Sequence, residues 1–121
     1  LYMNDIGLLS YKIGLNTMNR DNLNNIFMGG VTENYIATSL KSNNYSLYYW
    51  ESDGKAEVDY LIQKNGDIIP IEVKTSEHNK SKSLYIYMKK YSPKYAIRIS
   101  KRNFGFENNI KSVPLYAVYL I

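Results

Sequence analysis

The sequence contains no cysteine and a single histidine, His78. Disulfide bonds and thiolate metal sites are therefore excluded, and so are zinc sites that need two histidines. No Ser/His/Asp order is suggested around this one histidine, which argues against a catalytic triad. We interpret His78, which falls in a polar connection, as a solvated side chain.

Long apolar runs are also missing. No run approaches the roughly 20 residues that span a bilayer, and no secretory signal is visible. No glycine-rich loop ends in Gly-Lys-Ser or Gly-Lys-Thr, so these residues contain no nucleotide-binding loop of their own. We predict a cytoplasmic protein with no membrane partner. Because the chain begins at Leu1 and not at Met, we also expect residues 1–121 to be one domain excised from a longer protein.

The chain has 121 residues, 45% of them hydrophobic, which is enough for one domain with a real core. Its net charge is +4, and the basic residues are unevenly spread. No acidic residue occurs over 79–106, where eight of the fifteen basic residues fall. This stretch is either a phosphate-facing surface or the solvated face of a helix in a lysine-rich protein. On the first interpretation, the candidate nucleic-acid contacts are Lys80, Lys82, Lys89 and Lys90.

The stretch over 57–74 predicts a β-hairpin. Two runs rich in apolar residues flank Asn65-Gly66, a dipeptide that favours the positive φ angles of a two-residue type I′ turn. Because side chains alternate along a strand, this turn predicts the register of the whole hairpin. Six side chains would then form one almost wholly apolar face, in the pairs Val58–Val73, Tyr60–Ile71 and Ile62–Ile69.

The opposite face of this hairpin would carry Asp59 across from Glu72, and Glu57 across from Lys74. Like charges directly opposite each other are destabilising, so the two acids need positive charge beside them. Lys74 lies two residues from Glu72 on the same face, and a divalent cation is the other candidate. The alternative is an ordinary surface ion pair between Glu57 and Lys74.

Other elements follow from periodicity and turn residues. Glu33 would point near the apolar stripe of a helix, either as a core-side carboxylate that needs a partner or as a first-turn acid that the helix dipole favours. A helix after the hairpin allows the next strand to run parallel to the last hairpin strand. The expected fold class is α/β (α+β), a mixed sheet flanked by helices. The predicted elements are a short helix within 3–15, a loop at 16–25, a helix at 27–40, a strand at 46–51, a helix at 80–91 with Ser81 as N-cap, a strand at 95–100, an irregular segment at 103–111 and a strand at 113–121.

A helix with a glutamate, a meander with an aspartate in its second strand, and Glu-x-Lys in its third strand together resemble the PD-(D/E)xK nuclease superfamily. The motif residues would be Glu33, Asp59, Glu72 and Lys74. The chain also looks like the C-terminal domain, without assigned function, of a prokaryotic family of AAA-type P-loop ATPases. The segments that carry this second resemblance are 1–9, 30–35, 48–50, 56–59, 70–74 and 112–118.

The resemblance implies a restriction-endonuclease-like core of order α-β-β-β-α-β-β, with an ATPase domain in the same polypeptide. Asp59, Glu72 and the carbonyl of Val73 would hold one or two Mg²⁺ or Mn²⁺ ions. Glu33 would help directly or through water, and Lys74 would orient the attacking water. Three functions stay open: a metal-dependent endodeoxyribonuclease acting on DNA, a non-catalytic module that binds nucleic acid or protein for the ATPase, and a self-association module that forms a homo-oligomer.

Overall fold

A computed structural model describes residues 2–14, 25–75 and 82–121. His78, Lys80, Ser81 and residues 16–24 of the predicted loop lie outside these ranges. None of the helices in the described part is long and apolar enough to cross a membrane. In chain order the elements are α1 (Ile6–Lys12), α2 (Asn25–Ser42), β1 (Tyr48–Ser52), β2 (Ala56–Lys64), β3 (Asp67–Lys74), α3 (Lys82–Tyr91), β4 (Ala96–Ser100), β5 (Gly105–Glu107), β6 (Ile110–Pro114) and a 3₁₀ helix (Leu115–Leu120).

The strands form one mixed sheet in the order β1-β2-β3-β4-β6-β5. β1, β2 and β3 are an antiparallel meander, whereas β3, β4 and β6 run parallel to one another. The prediction of a mixed sheet flanked by helices is therefore confirmed. The parallel pairing of β3 with β4 is also confirmed, because α3 carries the chain back across the sheet between them.

The hairpin of β2 and β3 has the predicted turn. Asn65 and Gly66 have φ angles of 53° and 86°, which a type I′ turn requires at both central positions. The pairs Lys64–Asp67, Ile62–Ile69 and Tyr60–Ile71 follow from this turn and confirm the predicted register over that length.

A β-bulge interrupts this regular pattern in β2. Tyr48 of β1 pairs with Leu61, but Trp50 pairs with Val58, so β2 uses three steps where β1 uses two. The extra residue moves Val58 to the other face of the sheet, where it packs under α3, while Tyr60 packs toward α2. The prediction that Val58 shares a face with Tyr60 was wrong, because an inserted residue reverses the alternation beyond it.

The bulge also limits the ladder between β2 and β3. The paired register ends at Tyr60–Ile71, so the predicted cross-strand pairs Asp59–Glu72 and Glu57–Lys74 are not part of it. Glu57 instead pairs with Glu51 on β1. Glu72 and Lys74 are instead positioned by the parallel ladder between β3 and β4, and Asp59 by its hydrogen bond to the backbone of Val73.

The hydrophobic core has two layers, one on each face of the sheet. α2 and the 3₁₀ helix cover one face, and α3 covers the other. The main buried cluster consists of Ile36, Ala37, Leu40, Tyr60, Ile62, Ile69, Ile71, Ile97, Ile99, Val113, Ala117, Val118 and Ile121. The cluster under α3 consists of Val58, Leu84, Tyr87, Ala96 and Ile110.

The C-terminal region differs most from the sequence prediction. The segment predicted to be irregular contains β5 and the start of β6, joined by a tight turn in which Asn108 and Asn109 have φ angles of 52° and 58°. The predicted final strand ends at Pro114 and continues as the 3₁₀ helix. Ala117 and Val118 are adjacent and both buried, which a strand with one covered face would not allow.

Candidate active site

The bulge in β2 lies next to Asp59 and leaves its carboxylate free to reach β3. Asp59 Oδ2 accepts a hydrogen bond from the backbone N–H of Val73 at 2.7 Å. Burial raises the pKa of Asp59 to about 6, and the negative charges of Glu33 and Glu72 act in the same direction. The hydrogen bond from Val73 and the charge of Lys74 oppose this rise. Asp59 is thus a partly desolvated acid among other charged groups.

Glu72 is the most deeply buried acid of the site, with 3% of its surface exposed. Its Oε1 lies 3.2 Å from Lys74 Nζ, and its Oε2 lies 4.0 Å from Arg98 Nε. Both Glu72 Oε2 and Arg98 Nε are buried without a hydrogen-bond partner. A buried polar atom left unpaired costs about 1–3 kcal/mol, so a further ligand at this oxygen would relieve a real penalty.

Arg98 is the site residue that sequence reasoning missed. It lies on β4 directly beside Glu72 in the parallel register of β3 and β4. One sequence signal draws attention to Arg98, since it is the only charged residue of a short, mostly apolar strand whose parallel pairing was predicted. The residue facing Glu72 could not be named without the register between these strands, which no local turn determines.

Glu33 belongs to α2, and its charge acts on Asp59 in β2. The hydroxyl of Tyr60 donates a hydrogen bond to the backbone carbonyl of Glu33 at 2.9 Å and so fixes this turn of α2 over β2. Partial burial and the nearby charge of Glu57 raise the pKa of Glu33. Because α2 begins at Asn25, the alternative explanation of Glu33 as a first-turn acid was wrong.

The carboxylates do not form one tight cluster. In the described ranges, no three acidic, histidine or cysteine side chains are placed to hold one ion together. Glu33 affects the pKa of Asp59 through its charge, but it does not complete a three-carboxylate ion site with Asp59 and Glu72. An ion here would have two carboxylates as its side-chain ligands, with carbonyl and water oxygens completing the coordination.

Residues 28–118 match the model of a protein family described as a domain of unknown function, DUF4143. The chain belongs to the DUF4143 family. The match includes every residue of the candidate site, namely Glu33, Asp59, Glu72, Val73, Lys74 and Arg98. Neither a comparison with curated proteins nor one with solved structures found a match. The chemistry of this DUF4143 domain must therefore be inferred from its own site.

The predicted nucleic-acid contacts of the DUF4143 domain lie on α3 as far as they are described. Lys82, Lys89 and Lys90 are all exposed on this helix. Lys94, just after the helix, is 3.6 Å from Asp67 and so has an acidic partner. The described part of the basic stretch thus places three lysines on the helix that covers the Glu72 face of the sheet.

Proposed function

We propose that this domain is a metal-dependent phosphodiester hydrolase of the PD-(D/E)xK type that acts on DNA. One observation carries the proposal: the buried Glu72 has an unpartnered Oε2 in a site that also contains Asp59 and Lys74. The resemblance in motif order supports it, as does a mixed sheet whose meander presents these residues on β2 and β3.

The residues present fit a hard divalent cation such as Mg²⁺ or Mn²⁺. Carboxylate and carbonyl oxygens are its preferred ligands, and Asp59, Glu72 and the carbonyl of Val73 would supply them. Burial is the main cause of the raised pKa of Asp59, and the charges of Glu33 and Glu72 add to it, so a cation beside this carboxylate would favour its charged form. When bound, the ion would activate a water molecule and offset charge on the phosphate.

The remaining roles belong to the side chains. Lys74 Nζ is held 3.2 Å from Glu72 Oε1, where it would orient the attacking water and offset negative charge that develops on the phosphate. Glu33, whose backbone is anchored by Tyr60, would assist through water. Water oxygen would attack phosphorus, and the P–O bond to the leaving sugar oxygen would break, giving a phosphate end and a free hydroxyl.

A second candidate is a non-catalytic module that binds nucleic acid or protein. The observation that favours it is the charge balance around Glu72, where Lys74 and Arg98 together offset the carboxylate without any ion. In both cases the resemblance supports an ATPase domain of the same polypeptide as the partner.

Metal binding and cleavage distinguish the two candidates. Calorimetric titration with Mn²⁺ should show binding that Asp59→Asn and Glu72→Gln abolish. The matched control Asp67→Asn, which changes a half-exposed acid at the start of β3, should bind Mn²⁺ as the wild type does. Binding that all three variants retain would rule out the proposed metal site.

Cleavage is tested with linear, nicked and branched DNA in the presence of Mn²⁺. Lys74→Met should lose cleavage, whereas Lys111→Met, at an exposed position on β6, should keep it. DNA retardation without cleavage in the wild-type protein would support the non-catalytic module instead.

A further inference from the structure

Three aromatic side chains join α3 to the edge of the sheet. The rings of Trp50 and Tyr87 meet edge to face at 5.2 Å, and those of Trp50 and Tyr91 at 6.0 Å. Trp50 Nε1 also donates a hydrogen bond to the Tyr91 hydroxyl at 3.1 Å. Tyr87 is buried and belongs to the core, so it supports the other two rings from below.

The outer part of this group is open to solvent. β1 is an edge strand, and its alternation places Tyr48 on the same face as Trp50. Tyr48 is 60% exposed and Tyr91 is 49% exposed. We call Tyr48, Trp50 and Tyr91 the aromatic platform. Trp50 is half-buried, and Tyr91 contacts the buried Tyr87 at 4.7 Å between ring centres. A ring held in this way offers apolar surface at little cost in side-chain entropy.

Positive charge accompanies the platform. Lys90 Nζ lies 5.2 Å from the ring centre of Tyr91 and 5.9 Å from that of Trp50. Lys82 and Lys89 are exposed on the same helix, and α3 contains no acidic residue over its described length. Aromatic side chains beside exposed lysines match a ligand that carries both flat rings and phosphates.

One residue of the platform pairs with a residue of β2 that adjoins the candidate active site. Trp50 pairs with Val58, which immediately precedes Asp59 in β2. Val58 and Trp50 pack in the cluster beneath α3, on the face of the sheet to which Val58 is turned by the bulge. A strand bound along the platform would therefore approach the position in β2 next to Asp59.

We infer that the aromatic platform and the lysines of α3 bind a segment of single-stranded nucleic acid. Bases stack on Tyr48, Trp50 and Tyr91, and phosphates contact Lys90 and its neighbours on α3. A single strand is the form that fits, because base faces in a duplex are already stacked on each other. The inference rests on the nucleic-acid substrate of the proposed function, but it does not require the metal site.

Trp50 is the only tryptophan, so its fluorescence reports on the platform directly. The metal-free domain is titrated with an oligothymidylate of about 12 nucleotides, a length within the usual site sizes for single strands. We expect saturable quenching, with log K falling against log salt at a slope of about −2, since three lysines contribute about 0.7 each. The same sequence in a duplex should bind more weakly. Oligouridylate tests whether DNA is distinguished from RNA.

Matched variants locate the binding. Tyr91→Leu should weaken binding of the single strand about tenfold, because one stacking surface is lost. Lys90→Gln should weaken it and reduce the salt slope by about 0.7. The controls Tyr116→Leu and Lys111→Gln alter exposed residues of the 3₁₀ helix and β6, and should leave the affinity unchanged. If Tyr91→Leu fails to fold, Tyr48→Ala at a more exposed position takes its place.

Absence of quenching, equal effects of platform and control variants, or duplex binding as tight as that of the single strand would each overturn this inference. Its failure is separable from that of the proposed function. Single-strand binding by a domain that neither binds Mn²⁺ nor cleaves DNA supports the platform and removes the hydrolase. Cleavage of DNA by a domain whose single-strand binding is absent, or is insensitive to Tyr91→Leu and Lys90→Gln, supports the hydrolase and removes the platform.

Discussion

Replacing Asp59 by asparagine should make the domain more stable at neutral and alkaline pH. Burial is the main reason that the pKa of Asp59 rises from 3.8 to about 6 in the folded state. The folded protein therefore prefers the protonated carboxyl. The stability that this preference contributes is fully present below about pH 3.8 and is lost as the pH rises through about 6.

The size of this loss follows from the pKa. A rise from 3.8 to about 6 corresponds to about 3 kcal/mol, which we reduce to about 2 kcal/mol because Asp59 is only partly buried. Asparagine keeps an oxygen that can accept the Val73 N–H, so the charge is removed without losing that acceptor. Asp59→Asn should thus gain about 2 kcal/mol at pH 8, and almost nothing at pH 4.

Urea unfolding from pH 4 to pH 8, without divalent cations, measures this difference. Subtracting the wild-type free energy of unfolding from that of the variant at each pH removes the contribution of groups that titrate equally in both proteins. Asp67→Asn is the matched control, and we expect a change below about 1 kcal/mol because its ion pair with Lys94 is exposed. A difference between Asp59→Asn and wild type that stays constant from pH 4 to pH 8 would refute the argument.

Three other substitutions, one of them with a matched control, test parts of the fold that support the site. Arg98→Met should lower the free energy of unfolding by about 2–3 kcal/mol, because Glu72 would stay buried with one ion pair. The same substitution removes a positive charge near Glu72, so it should tighten Mn²⁺ binding in calorimetry. Gly66→Ala should cost about 1–2 kcal/mol in urea unfolding, because φ is 86° there and strain is the only penalty in open space. Gly29→Ala, in a helix and equally open, should instead be neutral or stabilising, so equal effects would contradict this reasoning. Tyr60→Phe should cost about 1 kcal/mol by losing the hydrogen bond to α2, and an unchanged thermal midpoint would show that this bond does not anchor the helix.

Local signals explain which parts of the fold could be predicted. Asn65-Gly66 specifies its turn through backbone conformation alone, and the pairing of Tyr60 with Ile71 follows by counting along two strands. The end of α3 is likewise local, since Ser92-Pro93 cannot continue the helix. The turn at Asn108-Asn109 uses the same chemistry as the hairpin turn, but its flanking strands are too short and polar to show a period.

Non-local packing explains the features of the site that could not be predicted. The bulge beside Asp59 is visible only in the mismatch between β1 and β2, and it accommodates a strand that is buried on both faces. Arg98 meets Glu72 through a parallel register that depends on how α3 crosses the sheet. The 3₁₀ helix forms where the chain leaves β6 and covers the same face as α2.

The sequence by itself determined the elements of the meander, the hairpin register from Tyr60 to Ile71, and the parallel return through α3. These depend on turn chemistry, side-chain period and chain connectivity, which are properties of short segments. Only the tertiary structure decided that Val58 turns away from Tyr60, that Asp59 bonds to the backbone of Val73, and that Glu72 is buried between Lys74 and Arg98. These contacts depend on which strands become neighbours and on what covers each face of the sheet, and no short segment contains that information.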